Sequence, residues 1–101
     1  MAIDEQLLQD LKRTVRAKAR SSEDEIRDLA EACRMDMRLR GGVYVSEGFS
    51  DPLEKRALEL YCKGNYGYDK DSERFMAAYE ALRDSMALSG EYTARKADKD
   101  G

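Results

Sequence analysis

Apolar residues recur along this chain at spacings of three and four, which is the period of one face of an α-helix. The pattern predicts four helices, whose apolar stripes are Ile3, Leu7, Leu8, Leu11 and Val15; Ile26, Leu29, Ala30, Cys33 and Met37; Leu53, Ala57, Leu60 and Tyr61; and Phe75, Ala78, Tyr79, Leu82 and Met86. Amphipathic helices bury such stripes by packing against each other. The sequence therefore predicts an all-α fold, a small four-helix bundle.

The starts of the second and third helices carry capping residues. Ser22 followed by Glu25, and Asp51 followed by Glu54, match the capping box, in which two side chains satisfy free backbone N–H groups. Pro52 takes the first position of the third helix, where its missing N–H is not needed. These residues indicate where both helices begin.

Glycines and aspartates mark the remaining helix ends. Gly41 or Gly42 is expected to adopt the left-handed conformation that closes the second helix. Asp69 or Asp71 is expected to cap the fourth helix, and Gly90 to end it.

The segment GGVYVSEGFSD, residues 41–51, interrupts the helical pattern. Val43, Tyr44 and Val45 favour extended backbone, and the flanking glycines disfavour helix. The extended piece is too short to make a sheet within one chain. We expect a long loop between the second and third helices, which exposes Tyr44 and Phe49 unless another surface covers them.

The aromatic stretch YCKGNYGYDKDSERF, residues 61–75, lies between the third and fourth predicted helices. Its paired aspartates resemble a calcium loop, but the glycine needed at the sixth position is missing. Glu80 falls at the twelfth position only if the loop starts at Asp69 and runs deep into the fourth helix. We interpret the stretch as a helix–helix corner, with Asn65 and Gly67 in the turn.

The end of the chain differs from the rest in having no apolar period. Polar termini without a packing face are usually mobile in a free domain. The chain is therefore predicted to form one helical domain, residues 1–92, with a flexible tail, residues 93–101.

Composition argues against catalysis. The 101-residue chain has no histidine, the usual general acid–base group at neutral pH, and no phosphate-binding glycine loop. Carboxylates crowd at helix starts, where capping and the helix dipole account for them. Cys33 and Cys62 fall at apolar positions and are expected to be packed, unreactive thiols rather than zinc ligands. We expect a non-enzymatic protein without metal or cofactor.

Charge and hydropathy give the expected location. The net charge is −3, and no apolar run approaches the roughly 20 residues of a membrane span. The acidic N-terminus lacks the order of a signal peptide. A soluble, intracellular protein without a membrane partner is expected.

A basic segment, residues 12–20, precedes an acidic helix start. Its cations are Lys12, Arg13, Arg16, Lys18 and Arg20, and the acids that follow include Glu23, Asp24 and Asp28. The two runs suit charge pairing between helix ends or between subunits. DNA binding by a small helical regulator is an alternative, although the polar residues of a recognition helix do not stand out. An accessory subunit of a DNA-packaging complex is another.

Residues 51–92 resemble the C-terminal half of the small head–tail connector proteins of tailed phages and prophages. The shared features are the D-P-L helix start, the Y-x-K-x-N-x-G turn, the F-x-x-A-Y-E-x-L-R helix and the closing L-S-G-E-Y. The N-terminal half is similar more loosely, through a helix, a capped helix and a variable loop.

This resemblance implies a head-completion protein that docks beneath the portal. About a dozen copies would form a ring that extends the DNA channel and presents a docking surface for a stopper or tail protein. DNA would be passing cargo. The protein would assemble in the bacterial host cytoplasm and reside at the virion head–tail junction.

A ring requires a heterologous interface, in which one face of a copy binds a different face of the next. The residues predicted for it are Lys12, Arg13, Arg16, Glu23, Asp24, Asp28, Val43, Tyr44, Val45 and Phe49. The residues predicted to dock on the portal are Tyr92, Arg95, Lys96 and Lys99. These hypotheses rest on charge segregation and on the aromatic residues beyond what four short stripes need.

Overall fold

The computed structural model describes residues 3–17, 22–66 and 70–93. The helices are α1 (Glu5–Thr14), α2 (Ser22–Gly41), α3 (Pro52–Asn65), α4 (Ser72–Ala87) and the short α5 (Gly90–Thr93), with a 3-10 turn at Glu47–Phe49. No β-strand occurs in these three ranges. The prediction of an all-α fold is confirmed, and α5 is an element that the apolar pattern did not predict.

The core forms around α3, which contacts α1, α2 and α4. Side chains from all four helices are buried there, among them Leu8, Leu11, Ile26, Met37, Ala57, Leu58 and Tyr79. The predicted apolar faces of α1 and α2 are the faces that point into this core, because their leucine, isoleucine and methionine positions follow the helical period.

The buried face of α3 is rotated relative to the prediction. Leu53 is 46% exposed, whereas Glu54 and Leu58 are fully buried. The face that enters the core combines positions 54, 57, 58, 60 and 62, which are neighbours at helical spacing, so Ala57 and Leu60 are buried as predicted. The prediction for Leu53 was wrong because it gave the inward position to a leucine rather than to the charged residue beside it.

On α4, too, a polar side chain is buried where the pattern predicted an apolar one. Ala78, predicted to face inward, is exposed, and Arg83 is buried instead. Phe75 and Leu82 lie only partly buried against the core, while Tyr79 is fully buried. The inward face of α4 is therefore more polar than its apolar stripe indicated.

The predicted start of α3 is confirmed. The Asp51 carboxylate accepts a hydrogen bond from the Leu53 N–H at 2.8 Å, and the Glu54 carboxylate accepts one from the Asp51 N–H at 3.3 Å. Pro52 is the first residue of the helix. Both side chains of the predicted capping box are thus in use.

The other helix ends agree with the prediction in part. α2 begins at Ser22, the residue predicted to cap it, and ends where Gly42 takes a φ of 67°. Asp71 holds the N-cap position of α4 without a side-chain hydrogen bond to the helix, and Asp69 lies outside the described residues. Gly90 begins α5 rather than ending α4, because α4 has already ended at Ala87.

The aromatic stretch 61–75 forms the end of α3 and the start of α4. The rings of Tyr61 and Tyr79 meet edge to face with centroids 5.1 Å apart. A Cβ at Gly64 would lie 2.5 Å from Cγ of Met76, so the glycine permits the close approach of the two helices. These contacts agree with the interpretation as a helix corner, although Gly67 lies outside the described residues.

Candidate interaction surfaces

The buried carboxylate of Glu54 anchors the segment between α2 and α3 through hydrogen bonds. One Glu54 oxygen accepts a hydrogen bond from the Ser46 N–H at 3.0 Å, and the other accepts one from the Ser46 hydroxyl at 2.5 Å. The same carboxylate takes part in the cap of α3. Hydrogen bonds to a charged group are stronger than neutral ones, so Glu54 ties the loop firmly to the start of α3.

Two further elements fix this segment from other sides. The Arg34 guanidinium of α2 lies over the Phe49 ring, 4.9 Å from its centroid, and its Nη1 is 3.5 Å from the Val45 carbonyl oxygen. From α5, the Tyr92 carbonyl oxygen accepts a hydrogen bond from the Tyr44 N–H at 3.3 Å. The segment is therefore an integral part of the fold.

This arrangement corrects the interface hypothesis for three residues. Val43 and Phe49 are fully buried, and Val45 is 2% exposed, because they pack into the chain's own core. Side chains in that position have no surface to offer another copy. Tyr44 is half-buried and remains partly accessible, whereas the chain's own core covers Phe49.

Charge pairing between the basic segment and α2 takes place within the chain. The Lys12 ammonium lies 2.9 Å from the Glu23 carboxylate, and Arg13 pairs with Asp10 one turn earlier in α1. Arg16 is exposed and has a φ of 59°. Lys18 and Arg20 lie outside the described residues. The structure thus joins Lys12 to Glu23 and leaves the other predicted interface charges apart.

The solvent side of α2 carries a continuous exposed row. Asp24, Asp28, Glu31, Met35 and Leu39 follow each other at spacings of three and four, and all five are exposed. Leu39 is 70% exposed and Met35 44%. This α2 outer face, acidic at one end and apolar at the other, contains two of the predicted interface acids. Its apolar end was not predicted.

Only the first predicted portal-docking residue can be located. Tyr92 is 5% exposed, and its hydroxyl donates a hydrogen bond to the Asp51 carboxylate at 3.0 Å. Burial, and secondly that hydrogen bond, raise the pKa of Tyr92 to about 12. Tyr92 therefore fixes α5 to the start of α3 and is not a free docking side chain. Arg95, Lys96 and Lys99 lie outside the described residues.

A partly buried polar cluster joins α2 to α4 and was not predicted. One Asp36 oxygen accepts hydrogen bonds from the Tyr79 hydroxyl at 2.6 Å and from Nη1 of Arg83 at 2.9 Å. The other oxygen lies 3.2 Å from Nε of Arg40. An arginine inside the apolar period of α4 was the available signal, because a buried guanidinium needs a carboxylate nearby.

The two cysteines are buried close to this cluster as free thiols. Burial raises the pKa of the Cys62 thiol to about 12 and also raises the pKa of the Cys33 thiol. Burial likewise raises the pKa of Tyr79. Thiols of this kind are protonated and poorly nucleophilic at neutral pH, which agrees with the predicted structural role.

A shallow cleft of about 170 Å³ lies between α1 and the 3-10 turn. It is lined by Asp4, Gln6, Leu7, Asp10, Glu47, Gly48, Ser50 and Lys55. Asp4 is already engaged as the cap of α1, and Asp10 pairs with Arg13. Within the described part of the chain, no group of three or more potential ligands is arranged to hold a metal ion.

No helix in residues 3–17, 22–66 and 70–93 combines the length and apolar character needed to cross a bilayer. Comparisons with protein-family models, curated proteins and solved structures each gave no match. The resemblance to head–tail connectors therefore remains a prediction from the motifs of residues 51–92.

Proposed function

We propose that this chain is a non-enzymatic structural protein of phage head–tail joining. In this proposal, copies form a ring under the portal, extend the DNA channel and present a docking surface for a tail or stopper protein. In this proposal α1 to α4 would form the bundle that the connector resemblance implies, the segment between α2 and α3 would be its long loop, and residues 93–101 would be its tail.

The observation that carries the proposal is the α2 outer face. A small domain normally covers its large apolar side chains or scatters them singly. Here Met35 and Leu39 stand one helical turn apart on a helix whose opposite face supplies the core. An exposed apolar pair beside a row of carboxylates is suited to another protein surface, and a ring subunit needs such a surface.

The DNA-binding alternative has less support. Lys12 is engaged by Glu23, and Arg13 by Asp10. Phosphate binding would therefore have to compete with ion pairs already formed. Fluorescence anisotropy with a labelled duplex tests this alternative: tight binding that weakens steeply with salt and is lost in Arg13→Ala/Arg16→Ala would favour the regulator over the connector.

The decisive experiment measures assembly directly. The chain is mixed with a portal ring purified from the same virus or prophage, and the products are analysed by native mass spectrometry and negative-stain electron microscopy. We expect a closed ring of copies on the portal. A chain that leaves the portal bare at every concentration tested would overturn the proposal.

The tail can be tested in the same assay. A chain that ends at Thr93 keeps α1 to α5 and should retain its helical circular dichroism signal. We expect it to bind the portal more weakly, because Arg95, Lys96 and Lys99 are removed. Unchanged binding would remove the tail from the docking surface but leave the ring proposal in place.

A further inference from the structure

The exposed side of α2 changes in charge along the helix. Asp24 and Asp28 lie in its first half, and among the described residues neither carboxylate has a cation partner. Arg38 lies near its end and has no carboxylate partner there; its Nη2 is 3.6 Å from the sulfur of Met35. The helix therefore carries unpaired charges of opposite sign towards its two ends, on the side away from the core.

The apolar end of the α2 outer face continues to Ala32, which is also exposed. Ala32, Met35 and Leu39 follow each other at spacings of three and four, so they share one side of the helix. Met35 is 44% exposed and Leu39 70%. We call these three residues the α2 apolar strip. It has a small residue at one end and a large one at the other, so a second copy fits it in the reverse direction.

We propose that two copies of the chain pair through the α2 apolar strip, with their α2 helices antiparallel. A twofold axis passes near Met35, so that Met35 meets its own counterpart. Leu39 of each copy packs on Ala32 of the other. Because a helix rises about 1.5 Å per residue, these two residues are then within about 2 Å of each other along the helix direction.

The same arrangement brings opposite charges together. Arg38 stands three residues after Met35 and Glu31 four residues before it, so Arg38 lies beside Glu31 of the other copy, with Asp28 about one turn further. Within its own copy, Glu31 has a long contact of 3.8 Å with Arg34. A parallel pair would instead place the acids of one α2 against the same acids of the other, which is costly. Charge complementarity therefore selects a second copy in the antiparallel direction.

This dimer goes beyond the proposed function and does not rest on it. A twofold contact closes at two copies, whereas a ring needs two different faces. The dimer covers the α2 outer face, so dimer and ring are alternative states of the same surface. One helix strip against another buries less than the roughly 800 Å² per partner of a standard interface. The dimer should therefore dissociate on dilution and leave the surface available.

The twofold axis gives a test that a contact between unlike faces would not pass. Met35→Cys places a thiol beside its own counterpart, so oxidation with copper phenanthroline should link two copies by a disulfide. Cys33 and Cys62 are buried and should not react. Glu80→Cys, exposed on α4, is the matched control and should cross-link at least tenfold more slowly. If Met35→Cys cross-links no faster than this control, the twofold contact is wrong.

Sedimentation velocity over a concentration series measures the dimer without a cross-link. Leu39→Asp and Arg38→Glu should each raise the dissociation constant at least tenfold, and Glu80→Lys should leave it unchanged. All three positions are exposed, and circular dichroism verifies that each variant folds. An unaltered chain that stays monomeric up to its solubility limit would overturn the dimer, and so would folded variants that associate as tightly as the unaltered chain.

A mixture of two variants tests the charge pairing. Arg38→Glu alone repels the acids of the other copy, and Asp28→Lys alone repels Arg38. In an equimolar mixture, the introduced glutamate faces the introduced lysine, and the unaltered Asp28 faces the unaltered Arg38. We expect the mixed dimer to be at least tenfold tighter than the Arg38→Glu dimer. A mixture that associates no more tightly than Arg38→Glu alone would contradict the antiparallel arrangement.

The portal assay separates this inference from the proposed function. If the free chain stays monomeric but forms rings on the portal, the ring function stands and the dimer is wrong. If the free chain dimerises through α2 but leaves the portal bare, the dimer stands and the connector function fails.

Discussion

Replacing Asp36 tests whether the polar cluster between α2 and α4 stabilises the fold. The carboxylate accepts hydrogen bonds from Tyr79, which is fully buried, and from Arg83, whose side chain is 10% exposed. A hydrogen bond to a charged group contributes about 1.5–3 kcal/mol. Asp36→Ala removes two such bonds and leaves a buried guanidinium with less compensation.

The expected cost of Asp36→Ala is about 3 kcal/mol. This value is at the low end of the range expected for the loss of two such hydrogen bonds. The reasons are that Nε of Arg83 keeps its 3.0 Å contact with Asp84 and that the Asp36 side chain is 21% exposed. Asp36→Asn keeps the shape and one oxygen acceptor but loses the charge, so about 1–2 kcal/mol is expected. A loss of about 3 kcal/mol lowers the Tm of a domain this small by roughly 12–24 °C.

Urea unfolding followed by circular dichroism measures both variants. A double-mutant cycle with Tyr79→Phe isolates the Asp36–Tyr79 bond and should give a coupling energy above about 1 kcal/mol. The matched control is Glu59→Ala, which removes an exposed pair with Arg56 and should cost less than about 0.5 kcal/mol. If Asp36→Ala costs no more than the control, the cluster does not stabilise the fold.

Four further experiments have a defined expected outcome. Glu54→Gln should lower the free energy of unfolding by about 2 kcal/mol, because three hydrogen bonds lose their charged acceptor. Limited proteolysis should then cut within residues 43–51. If the variant resists the protease as well as the unaltered chain does, the carboxylate does not fix this segment. Tyr92 stabilises the fold below its ordinary pKa of 10 and loses that contribution as pH rises towards about 12; urea unfolding across this window should show a shallower decline for Tyr92→Phe. Both cysteine thiols are buried, so they should resist a thiol reagent until urea unfolds the chain; rapid native labelling would contradict their burial. Leu82→Asp should cost about 2 kcal/mol or more because it places a carboxylate against the core, whereas the exposed Ala81→Asp should be nearly neutral in the same thermal unfolding assay.

The helices were predictable because their signals are local. Periodicity depends on residues three and four apart, and the α3 capping box depends on Asp51 and Glu54 alone. The same local information predicted a left-handed glycine, Gly41 or Gly42, at the end of α2, and Gly42 is the one that takes the positive φ. Interactions between residues three or four apart do not depend on the rest of the fold, so they can be predicted from the sequence alone.

The polar positions of the core were not predictable in the same way. Asp36 meets Tyr79 and Arg83 across 43 and 47 residues of chain. The burial of Glu54 likewise depends on Ser46 returning to the start of α3. An apolar pattern assigns charged residues to the solvent, so it fails where a distant donor compensates the burial of a charge.

The burial of the segment between α2 and α3 limits which parts of the surface can bind another molecule. Burying a side chain the size of valine or phenylalanine contributes about 1.5–3 kcal/mol. Opening the segment to present Val43, Val45 and Phe49 would therefore cost roughly 5–9 kcal/mol, which is comparable with the whole stability of a small domain, about 5–15 kcal/mol. The α2 outer face is already exposed in the folded chain, so contacts through Met35 and Leu39 carry no such cost. Assembly is therefore expected to use the helix surface rather than the loop.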